Sequence, residues 1–215
     1  FKAASQIYPG WYMGMNHISP DSMIQTGVIM RREWGTTYTY TYKAINGTGN
    51  AWDNAITGSH GRNSLYGLDG DDTLTGLEGN DRLLGGLGDD VMEGGDGRDT
   101  LEGGAGTDLL SGGAGNDVFV FSALTDSPAG LPRDTITDLA KGDRINLRGI
   151  DANESLRGNQ AFRYIADADF SGHAGELRFD GNAHLLQGDV NGDGIPEVEI
   201  LLSGIEAISR SQIQL

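Results

Sequence analysis

The chain has 215 residues, with 31 acidic against 15 basic side chains and a formal net charge of −16 at pH 7. A surface this negative repels phosphate backbones and anionic lipid, so we expect no nucleic-acid partner. The sequence contains no apolar run of about 18 residues that would predict a transmembrane span. It also contains no cysteine, which excludes disulfides, thiolate catalysis and thiolate zinc sites.

Composition divides the chain into three predicted units. Residues 1–48 are rich in Tyr, Trp and Met, and we expect them to be the end of an upstream domain or a cap. Within them, residues 37–42 alternate like a strand, and residues 27–30 are a second candidate strand. Residues 49–120 are dominated by Gly, Asp and Asn, whereas residues 121–215 have short apolar runs between turn residues, typical of β-structure.

The middle unit repeats every nine residues through eight rows. Each row opens with Gly, has an Asp or Asn five positions later, and has a large apolar residue two positions after that. The opening residues are Gly49, Gly58, Gly67, Gly76, Gly85, Gly94, Gly103 and Gly112. The apolar residues are Ile56, Leu65, Leu74, Leu83, Met92, Leu101, Leu110 and Phe119. A disordered acidic linker would not keep this apolar period, so the repeat predicts a folded unit.

The row pattern predicts an all-β fold with a parallel β-roll. Each row gives a Gly-rich turn and then a short strand whose central side chain points inward. Two rows complete one coil, so rows that are two apart stack on the same edge. The aspartates are therefore expected in two columns: Asp72, Asp90 and Asp108 on one edge, and Asp81, Asp99 and Asp117 on the other.

Stacked carboxylates predict calcium sites. Strands stack about 4.8 Å apart, and a Ca²⁺ ion with Ca–O distances of about 2.4 Å fits between two carboxylates at that spacing. We expect about four to six ions, held by the pairs Asp72/Asp90, Asp81/Asp99, Asp90/Asp108 and Asp99/Asp117. Backbone carbonyls of the turns complete the predicted ligand set: Gly85, Gly88, Gly94, Gly97, Gly103 and Gly106. Asn63, opposite Asp81, is expected to be a weaker ligand because it lacks the charge.

The same unit is predicted to depend on the metal for folding. Residues 69–117 contain 13 acidic residues against two arginines, a net charge of −11. Residues 49–117 contain 19 of the 35 glycines, and each glycine costs about 0.5–1 kcal/mol more to order than alanine. Metal binding would then supply the free energy of folding.

The last unit predicts a β cap and a second kind of calcium loop. Strands are predicted at residues 119–121, 145–147, 176–179, 184–187 and 198–202, which together indicate an antiparallel, sandwich-like cap for the exposed end of the roll.

A D-x-N-x-D-G pattern lies within this last unit, at Asp189, Asn191 and Asp193. Its twelfth position is Ile200, which excludes an EF-hand, although Glu197 offers a carboxylate. A hairpin turn without metal and a bound ion both remain open. A further ion near the end of the roll would use Asp126, Asp134 and Asp143.

Particular segments resemble known families. The rows GGDGRDTLE, GGAGTDLLS and GGAGNDVFV resemble the calcium-binding repeats of RTX (repeat-in-toxin) proteins. Residues 119–127, 134–147, 170–178 and 188–194 resemble the C-terminal domain of serralysin-type (M10) metalloproteases, which is similar to alginate C5-epimerase R-modules. The resemblance implies a type I secretion signal at the C-terminus and folding outside the cell.

Catalytic motifs are missing from the sequence. It has no His-Glu-x-x-His, no Gly-x-Ser-x-Gly and no P-loop, so we expect no catalysis by these residues. We expect a secreted, monomeric calcium-binding module that serves the type I secretion machinery and stabilises a bacterial enzyme, a hydrolase. The alternative is a module that binds a polysaccharide or a cell surface, such as an epimerase R-module or an adhesin terminus.

Overall fold

A computed structural model describes residues 28–32, 38–42, 44–130 and 132–215, and in these ranges the fold is all-β. A seven-stranded sheet contains β3 (Asn46–Thr48), β5 (Ser64–Asp69), β7 (Arg82–Leu87), β9 (Thr100–Ala105), β11 (Val118–Val120), β13 (Arg144–Asn146) and β18 (Ile213–Gln214). A nine-stranded sheet contains β4 (Ala55–Thr57), β6 (Thr73–Gly79), β8 (Val91–Gly97), β10 (Leu109–Gly115), β12 (Thr135–Ile136), β14 (Arg163–Tyr164), β15 (Glu176–Asp180), β16 (Leu185–Asp189) and β17 (Val198–Leu202).

The chain from β3 to β11 winds as a parallel β-roll. Consecutive strands alternate between the two sheets, and each pairs in parallel with the strand two further along the chain. Leu65 pairs with Leu83, and Leu74 pairs with Met92, so the register step equals two rows of the repeat. Two rows therefore make one coil, which confirms the predicted roll.

The core of the roll is a stack of the predicted apolar residues. They alternate with partly or fully exposed neighbours, because successive side chains of a strand point to opposite faces of a sheet. The buried stack has at most 1% of each side chain exposed: Leu65, Leu74, Leu83, Met92, Leu101, Leu110 and Phe119. Ile56, at the first coil, is only partly buried.

The two sheets continue past the last repeat. Ile136 of β12 pairs with Leu110, and Ile145 of β13 pairs with Phe119, so the register step becomes longer than two rows at this point. β17 and β18 then add in parallel to β12 and β13. β15, β16 and β17 pair antiparallel, as predicted, and they extend the nine-stranded sheet. The assignment of the predicted strands at residues 119–121 and 145–147 to an antiparallel cap is wrong, because they pair in parallel with each other and continue the roll.

Ahead of the roll, β1 (Val28–Arg32) and β2 (Tyr38–Tyr42) form an antiparallel pair in which Val28 lies opposite Tyr42. These strands confirm the two predicted at residues 27–30 and 37–42. Most of the predicted unit 1–48 lies outside the described residues. Within the described ranges, no helix has the length and apolar character needed to span a membrane.

Candidate metal centres

The two predicted aspartate columns are present along the edges of the roll. Each carboxylate lies inside its turn with at most 3% of its surface exposed. Its Oδ1 accepts the backbone N–H of the residue two rows earlier; the Asp72 N–H donates to Asp90 Oδ1 at 2.8 Å, and the Asp81 N–H donates to Asp99 Oδ1 at 2.7 Å. Every coil is thus fastened to the next by a buried hydrogen bond on each edge.

Both columns extend beyond the repeats. The Asp108 N–H donates to Asp134 Oδ1 at 2.8 Å, and the Asp117 N–H donates to Asp143 Oδ1 at 2.9 Å. Asp126 is also buried, and its Oδ2 accepts the backbone N–H groups of the two residues at 122 and 123. The structure therefore places Asp134 and Asp143 at the ends of opposite columns instead of gathering the three acids into one cluster.

The second carboxylate oxygens of these columns have no donor. Each such Oδ2 is buried and lacks a hydrogen-bond partner among the described residues: Asp72, Asp81, Asp90, Asp99, Asp108, Asp117 and Asp134. A buried carboxylate oxygen without a donor is costly, and it is normally matched by a hydrogen-bond donor or a cation. Each column thus contains a row of buried carboxylate oxygens that a bound cation would stabilise.

Backbone carbonyls converge on the same points. A Cβ added at Gly67 would lie closer than 3.0 Å to Asp72 Oδ2 and 2.7 Å from the carbonyl oxygen of Gly85. The same crowding recurs one row later, where a Cβ on Gly76 would approach Asp81 Oδ2 and the Gly94 carbonyl. A side chain at either glycine would therefore collide with both oxygens. The carboxylate and carbonyl oxygens that border each glycine lie close to each other, and both are hard oxygen ligands of the kind that Ca²⁺ prefers, so the residues fit the ion.

The predicted glycine ligands fall into two groups. The carbonyl oxygens of Gly85, Gly94 and Gly103 lie beside the space shared with an aspartate Oδ2. In contrast, Gly88, Gly97 and Gly106 have positive φ and stack against the carbonyl oxygen of the glycine two rows earlier. The first group is where the structure brings carbonyl and carboxylate oxygens together.

Burial changes the acidity of the columns. Removal from water raises the pKa of the Asp99 carboxyl to about 7, and the charges of Asp81 and Asp117 add to the rise. The same causes, burial first and neighbouring carboxylates second, raise the pKa of Asp90 to about 6, that of Asp108 to about 7 and that of Asp134 to about 8. Without metal, Asp99, Asp108 and Asp134 are therefore partly protonated near neutral pH, whereas Asp90 takes up its proton at about pH 6.

The raised pKa values predict that acid stabilises the metal-free fold. An unfolded aspartate titrates near about 3.9, so between that pH and about 8 the folded chain binds more protons than the unfolded chain. The free energy of unfolding of the metal-free protein should therefore rise as the pH falls through this window. Protein stripped of calcium on a chelating resin should show more β-signal in circular dichroism at about pH 5 than at about pH 7.5. Equal spectra, or a gain confined to sedimentable aggregate, would contradict the prediction.

The D-x-N-x-D-G segment forms the turn between β16 and β17. Asp189 is fully buried, and its two oxygens accept the backbone N–H groups of Gly192 and Gly194 at 2.6 and 2.9 Å. Carboxylate oxygens of Asp189, Asp193 and Glu197 lie within 4.8 Å of one another, and the Asn191 side-chain amide donates to Glu197 Oε1 at 2.5 Å. The segment forms a closed turn and also brings three acids together. Its geometry is therefore compatible with both interpretations of the sequence, a hairpin turn without metal and a bound ion.

An outer column was missed by the sequence analysis. The Asp71 N–H donates to Asp53 Oδ1 at 3.0 Å, and the Asp89 N–H donates to Asp71 Oδ1 at 2.8 Å. These exposed acids lie beside the inner column of Asp72 and Asp90. The signal that could have revealed them is an acid at the fifth row position, which recurs in three alternate rows, at Asp53, Asp71 and Asp89, instead of in every row.

Comparison with known proteins agrees with the repeat. A family model of the RTX calcium-binding nonapeptide repeat (4 copies) matches residues 48–83, 57–92 and 84–119. No curated protein sequence matches the chain significantly.

Two solved structures are similar to this chain. One is the R2 subunit of the Azotobacter vinelandii mannuronan C5-epimerase AlgE6, with 22% identity over 80% of this chain and 91% of that chain and a TM-score of 0.41. The other is the R3 subunit of the same epimerase, with 28% identity over 78% of this chain and 82% of that chain and a TM-score of 0.35. The sequence match and the coiled geometry lead to one conclusion: residues 48–119 are RTX calcium-binding nonapeptide repeats.

Proposed function

We propose that this chain is a module that folds when calcium binds to its paired aspartates. The observation that carries the proposal is the row of buried Oδ2 atoms that face glycine carbonyl oxygens without a donor between them. Ca²⁺ supplies positive charge to such a set of oxygens and accepts six to eight of them as ligands.

The residues that would hold the ions are those of adjacent coils. In the first column they are the Asp72/Asp90 and Asp90/Asp108 pairs, and in the second they are the Asp81/Asp99 and Asp99/Asp117 pairs. The first group of glycine carbonyls, at Gly85, Gly94 and Gly103, lies beside these carboxylates. The protein's part is to hold the oxygens in register, which the buried Oδ1 hydrogen bonds do.

The biological role proposed for the module is secretion and stabilisation of an extracellular bacterial enzyme, a hydrolase. Calcium is scarce in the cytosol and abundant outside the cell. A unit with a net charge of −11 over residues 69–117 repels itself until calcium neutralises it. It would therefore stay extended during export through a type I secretion machinery, and it would fold outside the cell when calcium binds. The resemblance of residues 119–127, 134–147, 170–178 and 188–194 to serralysin C-terminal domains supports this role.

Calcium titration of two matched variants tests the binding part of the proposal. Asp99 belongs to two pairs and is fully buried, whereas Asp96 is exposed on the same turn. In isothermal titration calorimetry, Asp99→Asn should lower the calcium stoichiometry by at least one ion relative to the unaltered chain. Asp96→Asn removes the same charge and should leave the stoichiometry unchanged.

Two outcomes would overturn the assignment. One is an unaltered chain that takes up no calcium, or takes up magnesium with the same affinity. The other is a pair of variants that lose calcium equally, since this would mean that the acids act only through overall charge.

A further inference from the structure

Asn63 stands where an aspartate would continue the second column. It is 1% exposed, and its Oδ1 accepts the backbone N–H of Ile45 in the preceding coil at 3.1 Å. Its own N–H donates to Asp81 Oδ1 at 2.6 Å. Asn63 therefore keeps the hydrogen bonds that join coils in the rest of the column.

The side-chain nitrogen of Asn63 takes the place of the oxygen that has no donor elsewhere. A Cβ on Gly58 would lie 2.8 Å from Asn63 Nδ2 and 2.8 Å from the carbonyl oxygen of Gly76. One row later, the corresponding space at Gly67 is bordered by Asp72 Oδ2 and the Gly85 carbonyl oxygen. The same position thus holds an acceptor in one row and an –NH₂ donor in the other.

Four acceptors surround this nitrogen. Its two N–H groups are shared among the carbonyl oxygen of Ser59 at 2.8 Å, Asp81 Oδ1 at 3.0 Å and the Gly61 carbonyl oxygen. The Gly76 carbonyl oxygen lies 3.4 Å away. These are backbone carbonyls of two adjacent turns and a carboxylate of the next coil, which is the kind of oxygen set that the proposed calcium sites use.

The hydrogen-bond network determines which of the two terminal atoms of the Asn63 amide is Oδ1 and which is Nδ2. Asn63 Oδ1 accepts the backbone N–H groups of Ile45 and Ser59, and a backbone N–H can only donate. The surroundings of Nδ2 are carbonyl and carboxylate oxygens, which can only accept. Exchanging the two ends would set donors against donors and acceptors against acceptors.

We infer that the Asn63 amide replaces a cation, so that the turn at 58–63 closes on the turn at 76–81 without calcium. This inference rests on the proposed function, because it assigns a metal-free member to a column of calcium sites. It gives Asn63 a different role from the ligand role predicted from its spacing. The contact between these two turns then forms at any calcium concentration, whereas the contacts between later turns of the second column require calcium.

The substitution Asn63→Asp converts the built-in donor into the acceptor found in the other rows. The resulting pair with Asp81 would match the Asp81/Asp99 pair, so we expect one additional calcium ion per chain. The matched control is Asn80→Asp, which adds the same charge on the same edge at an exposed position. That control should leave the stoichiometry unchanged. Both can be counted by calorimetry and by native mass spectrometry in calcium.

A second variant tests whether the N–H groups of the Asn63 amide stabilise the fold, or whether the site accepts any side chain at no cost. Asn63→Ala removes both N–H donors of the amide from the surrounding oxygens, while Asp81 Oδ1 keeps the backbone N–H of residue 63. It should bind the same number of ions as the unaltered chain and lower the melting temperature in saturating calcium by at least about 2 °C. An unchanged melting temperature, or a gain of an ion, would overturn the inference.

The remaining outcomes are distinguishable. If the unaltered chain binds no calcium, the proposed function fails. If it binds calcium but Asn63→Asp gains no ion, or does not fold in calcium by circular dichroism, the inference about Asn63 fails while the proposed function stands. A gain of one ion in Asn80→Asp as well would also overturn it, because added charge alone would then be sufficient.

Discussion

Removal of calcium is expected to unfold the roll. In excess chelator the β-signal in far-ultraviolet circular dichroism should be lost, and it should return on addition of calcium but not of magnesium. The physical reason is that the buried carboxylates then have neither a donor nor a counter-charge, and 19 glycines gain conformational freedom. Addition of excess calcium to the chelated sample is the control for reversibility.

The size of this effect follows from linkage. One ion present at 100 times its dissociation constant stabilises the folded state by about 2.7 kcal/mol, so four such ions contribute about 11 kcal/mol. Typical domains have an unfolding free energy of about 5–15 kcal/mol, so the ions are enough to decide whether the roll folds. An unchanged spectrum and unchanged resistance to proteolysis in chelator would show that apolar packing alone maintains the fold.

Truncation after Val120 is expected to prevent folding even in saturating calcium. Such a chain loses Asp134 and Asp143, which accept the buried N–H groups of Asp108 and Asp117. The core residue Phe119 also loses its partner in β13. Because this end of the roll would then face water, we expect circular dichroism of the truncated chain in calcium to resemble that of the chelated full chain. A folded truncated chain would show that the repeats are sufficient.

A matched pair of substitutions tests the same end of the roll in the full chain. Ile136 is fully buried in β12, and Thr137, its neighbour, is exposed. Ile136→Asp puts a charge into the apolar stack and should lower the free energy of unfolding by more than about 4 kcal/mol. Thr137→Asp should change it by less than about 1 kcal/mol. Chemical denaturation in calcium measures both values.

The roll could be predicted from sequence because its packing depends on short-range spacing. An inward residue such as Leu83 must recur in every row, and its partner Leu101 must follow two rows later, so periodicity alone places both. The carboxylates at Asp90 and Asp108 obey the same rule. Since each coil contacts only its neighbours, no long-range information is needed for this part of the fold.

The end of the roll could not be predicted in this way. The segment between β11 and β12 breaks the phase of the repeat, so the spacing gives no sign that Asp134 continues the column that begins at Asp72. β17 and β18 return to the roll from far along the chain, which is decided by tertiary packing. The orientation of the Asn63 amide depends on donors from two other segments, which spacing does not reveal.

The buried hydrogen bonds between coils give the roll a direction. In every case the backbone N–H belongs to the earlier coil and the carboxylate belongs to the later one, as in the bond from Asp90 to Asp108. A coil without its successor loses this carboxylate acceptor for a buried amide, whereas the backbone hydrogen bonds of the sheets run in both directions, as in the bond from the Thr73 N–H to the Asn54 carbonyl oxygen. Each aspartate of the inner columns therefore serves the coil before it, and the last two of these amides, at Asp108 and Asp117, depend on acceptors that lie outside the repeats.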